Sequence, residues 1–272
     1  MTVLDAPPIT DGLRLEGITV RFGGHLAVDG LSLSAPLGRL TGLIGPNGAG
    51  KTTTFNACSG LQHVTAGRVF LNGEDVSHFG PAPRSRRGLG RTFQRMELFD
   101  SLTVAGNVAV GREAGLAGRN PLRQLWATPR ERVDTKSRVD EALERCGLGD
   151  VADEMVGVLS TGRRRLVELA RAIASGARMV LLDEPSSGLD TAETKRFGAI
   201  LRSLVEDDGL GILLVEHDMT LVMGVCDHLY VLDFGDLIFE GSPVEVHDSP
   251  IVRAAYLGEL GAEAFERSPE EG

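Results

Sequence analysis

The densest chemistry in this chain lies in Gly45-Pro46-Asn47-Gly48-Ala49-Gly50-Lys51-Thr52, a G-x-x-x-x-G-K-T spacing set between an apolar run and a helix start. Glycines at this spacing let the backbone turn its N–H groups inward onto phosphate oxygens. A helix beginning near Lys51 aims its positive dipole end at the same anion. Lys51 then reaches the β- and γ-phosphates, and the Thr52 hydroxyl ligates Mg²⁺. A chance glycine turn is the plain alternative. The chain has 35 glycines but lysine only at positions 51, 136 and 195. At those frequencies one chance match is expected in roughly two hundred such chains.

Other polar groups follow apolar runs. Met179–Leu182 ends in Asp183-Glu184. A carboxylate at a strand end can hold Mg²⁺ through water, and a second one beside it can orient or deprotonate an attacking water. A helix-capping pair is the ordinary explanation of a lone Asp-Glu. Four apolar residues before it and Pro185 after it put this one on a turn. His217 tops the apolar run Gly211–Val215 within Glu216-His217-Asp218; a lone histidine there is more often structural, but opposite a phosphate loop it could contact the γ-phosphate. Gln94 ends its own strand and can ligate the metal or the water. Phe22 closes an early strand and could offer its face to a purine, although strand-end phenylalanines are more often core.

These side chains meet only if the elements between them form one sheet. Two β-like runs, Leu13–Phe22 and Leu26–Leu33, come first, then the phosphate-loop strand Leu40–Ile44 and a helix from Lys51 to about Ser59, closed by Gly60. A short strand, Arg68–Leu71, turns at Asn72-Gly73 as a hairpin. Pro81 and Pro83 mark a loop before Arg84-Ser85-Arg86-Arg87. Thr103 to about Glu113 reads as helix, interrupted at Gly115, Gly118 and Pro121. Pro129 opens a segment with apolar residues at 139, 142, 143 and 146, a helical period. The α/β pattern then resumes with a helix at Leu166–Ala174, the strand at 179–182 and an amphipathic helix, Thr191–Val205. Asp190 and Glu193 suggest a capping arrangement at the start of that helix. The strand at 211–215 and a small hairpin around Gly235 follow. Alternating strands and helices imply a largely parallel sheet with ligands at its carboxyl edge.

Composition narrows the class. Net charge is −10 over 272 residues, which argues against an extended basic face for nucleic acid. The arginine cluster at 84–87, with Arg91, reads as a solvated loop. Cys58, Cys146 and Cys226 are far apart and form no C-x-x-C, so they read as small core residues. No run approaches the ~20 apolar residues of a membrane span, and no secretory leader is visible at the N-terminus. Residues 259–272 carry five glutamates against one arginine and read as a solvated acidic end.

Together these motifs resemble the ATP-binding subunits of ABC transporters over about residues 12–258. Gly45–Thr52 resembles the Walker A loop, Phe22 stands where that family has its adenine-stacking aromatic, and Gln94 resembles the Q-loop. Leu159-Ser160-Thr161-Gly162 resembles the signature, with Thr161, Arg163 and Arg164 departing from the usual pattern. Met179–Glu184 resembles Walker B, Ser187-Gly188-Leu189-Asp190 the D-loop and Glu216-His217-Asp218 the H-loop.

The resemblance implies an α/β P-loop NTPase (RecA-like) fold, mostly parallel, with N-terminal antiparallel β elements. An α-helical subdomain at 95–165 interrupts an ATP-binding core at 1–94 and 166–249, and 250–272 is a C-terminal extension. It implies ATP and Mg²⁺ as cofactors. Gly45, Asn47, Gly48, Ala49, Gly50, Lys51, Thr52, Thr53, Phe22, Ser160, Gly162 and Asp190 would bind nucleotide. Thr52, Gln94 and Asp183 would hold the metal, and Glu184, His217 and Gln94 would be catalytic.

Implied partners are a second ABC ATPase subunit, identical or different, two transmembrane permeases and, indirectly, an extracytoplasmic substrate-binding protein, with no nucleic acid. The implied location is the cytoplasmic face of a bacterial inner membrane. The long insert, Val215–Val222 and Tyr256-Leu257-Gly258 resemble the longer ATPase of branched-chain amino acid importers. Lipid or lipopolysaccharide export ATPases are the rival within the class, and a soluble non-transport ABC ATPase is the rival outside it.

Overall fold

The computed structural model describes residues 11–92, 97–116 and 129–257. Two sheets carry the architecture. The first is antiparallel, in the order β2-β1-β4-β5, from β1 (Gly12–Phe22), β2 (His25–Pro36), β4 (Ala66–Leu71) and β5 (Glu74–Asp75). The second has the order β10-β9-β3-β8-β7-β6, from β3 (Leu40–Ile44), β6 (Leu89–Arg91), β7 (Met179–Asp183), β8 (Gly211–Val215), β9 (His228–Asp233) and β10 (Asp236–Gly241). Its neighbours from β9 to β6 are parallel, and only β10 runs antiparallel, against β9.

The fully apolar central strands feed two cores at once, as strands covered on both faces must. Leu40, Ile44, Val180, Leu182, Ile212 and Leu214 face one cluster, while Leu43, Met179, Leu181, Leu213 and Val215 face the other. The second cluster also takes in Phe55 of α1 (Lys51–Ser59) and the inner residues of the antiparallel sheet. The first takes in α3 (Val104–Leu116), α4 (Pro129–Arg145), α5 (Thr161–Ala174) and α6 (Thr191–Asp208). Val139, Ala142 and Leu143 of α4 and Cys146 just past its end, the residues expected on one helical face, are all buried there.

Four local expectations change. Pro81 and Pro83 sit in a short helix, α2 (Pro81–Ser85), because proline at the first turn has no N–H to lose. The helix expected from Leu166 begins at Thr161, where the Ser160 side chain accepts from the Arg163 N–H. The third helix continues through Gly115 to Leu116. The arginine cluster is not uniformly solvated: Arg84 is 2% exposed, whereas Arg87 pairs with Glu74 and lies over Phe79. Gly118, Pro121 and the acidic tail lie outside the described residues. The capping box of α6, between Asp190 and Glu193, forms as expected. All three cysteines are free and buried. Among the described residues no helix is long and apolar enough to cross a membrane.

Candidate functional site

The phosphate loop leaves β3 at Gly45. That residue has φ 150°, and a Cβ there would lie 2.1 Å from the Leu232 carbonyl oxygen of β9, so only glycine fits. Gly50, at φ 98°, is similarly pressed toward the Ala27 carbonyl of β2. The loop is thus threaded between two strands. It is fixed further by the Ala49 N–H donating to Pro46 and the Gly235 N–H donating to Ala49. Lys51 curls back over it, Nζ donating to the Gly45 and Pro46 carbonyls at 2.6 and 2.7 Å. No side chain caps α1, and an uncapped helix start offers its first N–H groups to an anion. Asn47, Gly48 and Thr52 are exposed, Ala49 is buried, and Gly50 and Thr53 are intermediate.

Adjacent strands bring the carboxylates to the same edge. Asp183 ends β7 in register with Val215 of β8, whose neighbour on the other side is Leu43 of β3. Asp183 is buried, which pushes its carboxyl pKa up, and the Arg91 guanidinium at 3.2 Å opposes that shift. Arg91 also donates to Asn56 Oδ1 and Ser59 Oγ, tying β6 and α1 to this carboxylate. Glu184 follows with φ 46°, a left-handed conformation that costs a non-glycine residue energy. Its N–H donates to the Val215 carbonyl, and its own carbonyl accepts from the Ser187 N–H.

His217 is exposed beyond the end of β8, its Nδ1 3.8 Å from Glu216 Oε2. Asp218 caps α7 (Met219–Val225) by accepting from the Thr220 and Leu221 N–H groups. Phe22 is 49% exposed at the end of β1, so it is not a core residue. Gln94 lies outside the described residues.

Ser160 and Gly162 are positioned by helix starts instead of strand ends. A Cβ on Gly162 would lie 2.6 Å from Glu193 Oε1 of α6, and one on Gly188 would touch the Thr161 methyl. The signature thus packs on the turn that carries Asp190. Arg163 and Arg164 pair with Asp150 and Asp100 at 2.9 and 2.8 Å.

Three residues have positions that the sequence reading did not foresee. Arg91, read with the arginine cluster as solvated, is one, because its side chain is only 10% exposed. Glu216, buried directly after an apolar strand, is another. The third is Tyr256 of α9 (Pro250–Leu257), which packs against the first core cluster. Burial drives its hydroxyl pKa up, opposed by a hydrogen bond from the Gly45 backbone. A charged side chain just past an apolar strand was the available signal for Glu216; nothing local marks the other two.

A glycine loop threaded onto a helix start, facing carboxylates at the edge of a parallel sheet, defines a P-loop α/β NTPase. The chain belongs to the ABC transporter family, whose family model matches residues 28–187. It is 38% identical over 250 residues to the high-affinity branched-chain amino acid transport ATP-binding protein BraF of Pseudomonas aeruginosa, covering 91% of this chain and 98% of that protein. Against LivG of Escherichia coli, described in the same words, identity is 37% over the same shares. The lipopolysaccharide export system ATP-binding protein LptB of Acidithiobacillus ferridurans is 33% identical over 91% of this chain and 97% of that one. Among solved structures, an ATP-binding cassette of an ABC transporter in its ADP conformation superposes with a TM-score of 0.80 at 32% identity, over 92% of this chain and 99% of that one. As an ABC cassette the chain binds ATP and is an ATPase coupled to transport.

Proposed function

We propose that this chain is the ATP-hydrolysing subunit of an importer of branched-chain or related amino acids. The observation that carries the importer reading is its 38% identity across 98% of BraF. In this reading the 45–53 loop cradles the phosphates, Phe22 stacks on adenine, and Glu184 takes the proton of the attacking water. His217 and Gln94 contact the γ-phosphate and that water.

Asp183, Thr52 and Gln94 would hold Mg²⁺. Their donors are hard oxygens, which suits that ion. Among the described residues no group of three or more acidic, His or Cys side chains forms an all-protein metal cage, which suits a metal shared with nucleotide phosphates. When bound, Mg²⁺ neutralises charge developing on the transferred phosphoryl group.

Ser160, Gly162 and Asp190 serve a second ATPase subunit's nucleotide in a head-to-tail pair. ATP favours the closed pair by binding it more tightly than the open one. The 95–165 segment passes closure to two permeases at the cytoplasmic face of the membrane, and an extracytoplasmic binding protein supplies the cargo. The core at 1–94 and 166–249 and the 250–272 extension complete this division.

The 33% identity to LptB supports a second reading, lipopolysaccharide export. Disrupting the gene and measuring radiolabelled leucine, isoleucine and valine uptake separates the two. Lost uptake supports import; unchanged uptake with a lipopolysaccharide export defect overturns it. For the chemistry, Glu184→Gln in the assembled transporter is expected to lower turnover at least about a hundredfold. Unchanged turnover rejects Glu184 as the base.

A further inference from the structure

Glu216 sits between the two loops that carry Glu184 and His217, and its side chain is almost fully buried, 1% exposed for the residue as a whole. Both of its carboxylate oxygens are engaged. Oε1 accepts from the Ser186 N–H at 2.7 Å, across the gap to the loop after β7. Oε2 accepts from the His217 N–H at 3.0 Å and from the Asp218 N–H at 3.2 Å, on its own loop. The paired ladder of β7 and β8 ends at Asp183 and Val215. Beyond the Glu184 N–H bond to Val215, the carboxylate bridges the two segments that leave the strands. A buried carboxylate is costly unless hydrogen-bonded; here three backbone amides from two separate segments meet that requirement.

The bridge matters because of what stands beside it. Glu184 holds its left-handed backbone between Asp183 and the Pro185-Ser186-Ser187 turn. Such a conformation persists only where its surroundings over-determine it. The Glu184 N–H to Val215, the Ser187 N–H to Glu184 and the Ser186 N–H to Glu216 are among those constraints. One side chain therefore fixes the turn behind Glu184 and the backbone of His217 at the same time.

We propose that Glu216 is a positioning residue for ATP hydrolysis, setting the spacing between Glu184 and His217. The proposal rests on the roles given to those two residues above. Glutamine cannot replace it: either orientation of the amide sets an NH₂ donor against a backbone N–H, so one arm of the bridge is lost. Aspartate is a methylene short of spanning from the His217 amide to the Ser186 amide. Misplacing a catalytic group by about an ångström costs on the order of a hundredfold in rate.

The experiment measures kcat, KM for ATP and thermal unfolding of the assembled transporter with Glu216→Gln, Glu216→Asp and Glu184→Gln. A positioning role lowers kcat of both Glu216 variants about 10- to 100-fold, with KM within about twofold and a melting midpoint above the assay temperature. A Glu216 variant with wild-type kcat, beside an inactive Glu184→Gln, overturns the positioning role alone. So does a variant whose only defects are raised KM and early melting. Full turnover in Glu184→Gln overturns the base assignment and the proposal with it. If neither Glu216 variant assembles, hydrogen exchange of the wild-type chain decides. The Ser186, His217 and Asp218 amides exchange at one shared rate if the bridge opens as a unit, and unrelated rates overturn it.

Discussion

Among the described residues Arg84 is a cation whose hydrogen bonds go to four carbonyls and to no carboxylate. Its guanidinium donates to the Ala57, Cys58, Phe79 and Ser77 oxygens at 2.6 to 3.3 Å. Two of these belong to the last turn of α1, the helix whose first turn faces the phosphate loop. A cation at a helix C-terminus is favourable for the dipole and satisfies carbonyls that the helix leaves open. Burial holds the Arg84 pKa below its ordinary value, yet so basic a group stays charged. Arg84→Met is expected to strip these carbonyls of a charged donor, leaving Ala57 O only its Gly60 N–H partner, and cost about 3 kcal/mol, read as a lower urea midpoint at unchanged slope. Arg84→Lys recovers only part, since an ammonium cannot reproduce the planar fork. A midpoint shift near zero for Arg84→Met rejects this capping role. In the sequence this residue stood among three other charged or polar neighbours, and a surface cluster was the natural reading. Composition reports charge, whereas only the fold reports that position 84 points inward and 86 outward. Arg91 was hidden for the same reason, since the side chains it bonds lie far along the chain, and Glu216 was marked only by its place after an apolar strand.

Elements were more legible than single contacts, because periodicity averages over many residues. The strands at 40–44, 179–183 and 211–215 announce themselves by apolar runs that supply two cores at once. The start of α5 did not, since the first turn carries Arg163, Arg164 and Arg165, and its apolar stripe begins only at Leu166. The cap at Ser160 was the decisive signal. How helices approach one another was not legible at all. In α3, a Cβ at Gly111 would lie 2.3 Å from the Arg171 carbonyl oxygen and 2.6 Å from its Cγ, both on α5. Gly111 therefore sets the closeness of the α3–α5 crossing. Gly111→Ala is expected to push the helices apart and cost about 1–3 kcal/mol. Gly224 in α7 meets nothing within 4 Å, and Gly224→Ala is expected to stabilise by about 0.5–1 kcal/mol through helix propensity. Equal effects of the two substitutions in thermal melts would contradict the packing argument.

At the scale of the molecule, the helical segment and the sheet share one core. Leu40 and Ile44 of β3, Val104 and Val108 of α3, Leu143 of α4, Leu169 of α5 and Val252 of α9 belong to a single buried cluster. Tyr256 carries that continuity up to the backbone of Gly45. A ligand on the phosphate loop therefore stabilises more than the loop, because melting the helical segment strips one face of the strand that supports it. A ligand binding only the folded state at a hundredfold excess over its Kd adds about 2.7 kcal/mol. For a chain of this size that corresponds to a rise of roughly 5–10 °C in Tm. The expectation is one calorimetric transition, displaced upward as a whole by ATP, and Lys51→Ala removes most of the displacement while leaving the ligand-free Tm within about 2 °C. Two transitions, with ATP moving only one of them, would mean that the helical segment and the sheet unfold independently despite their common core.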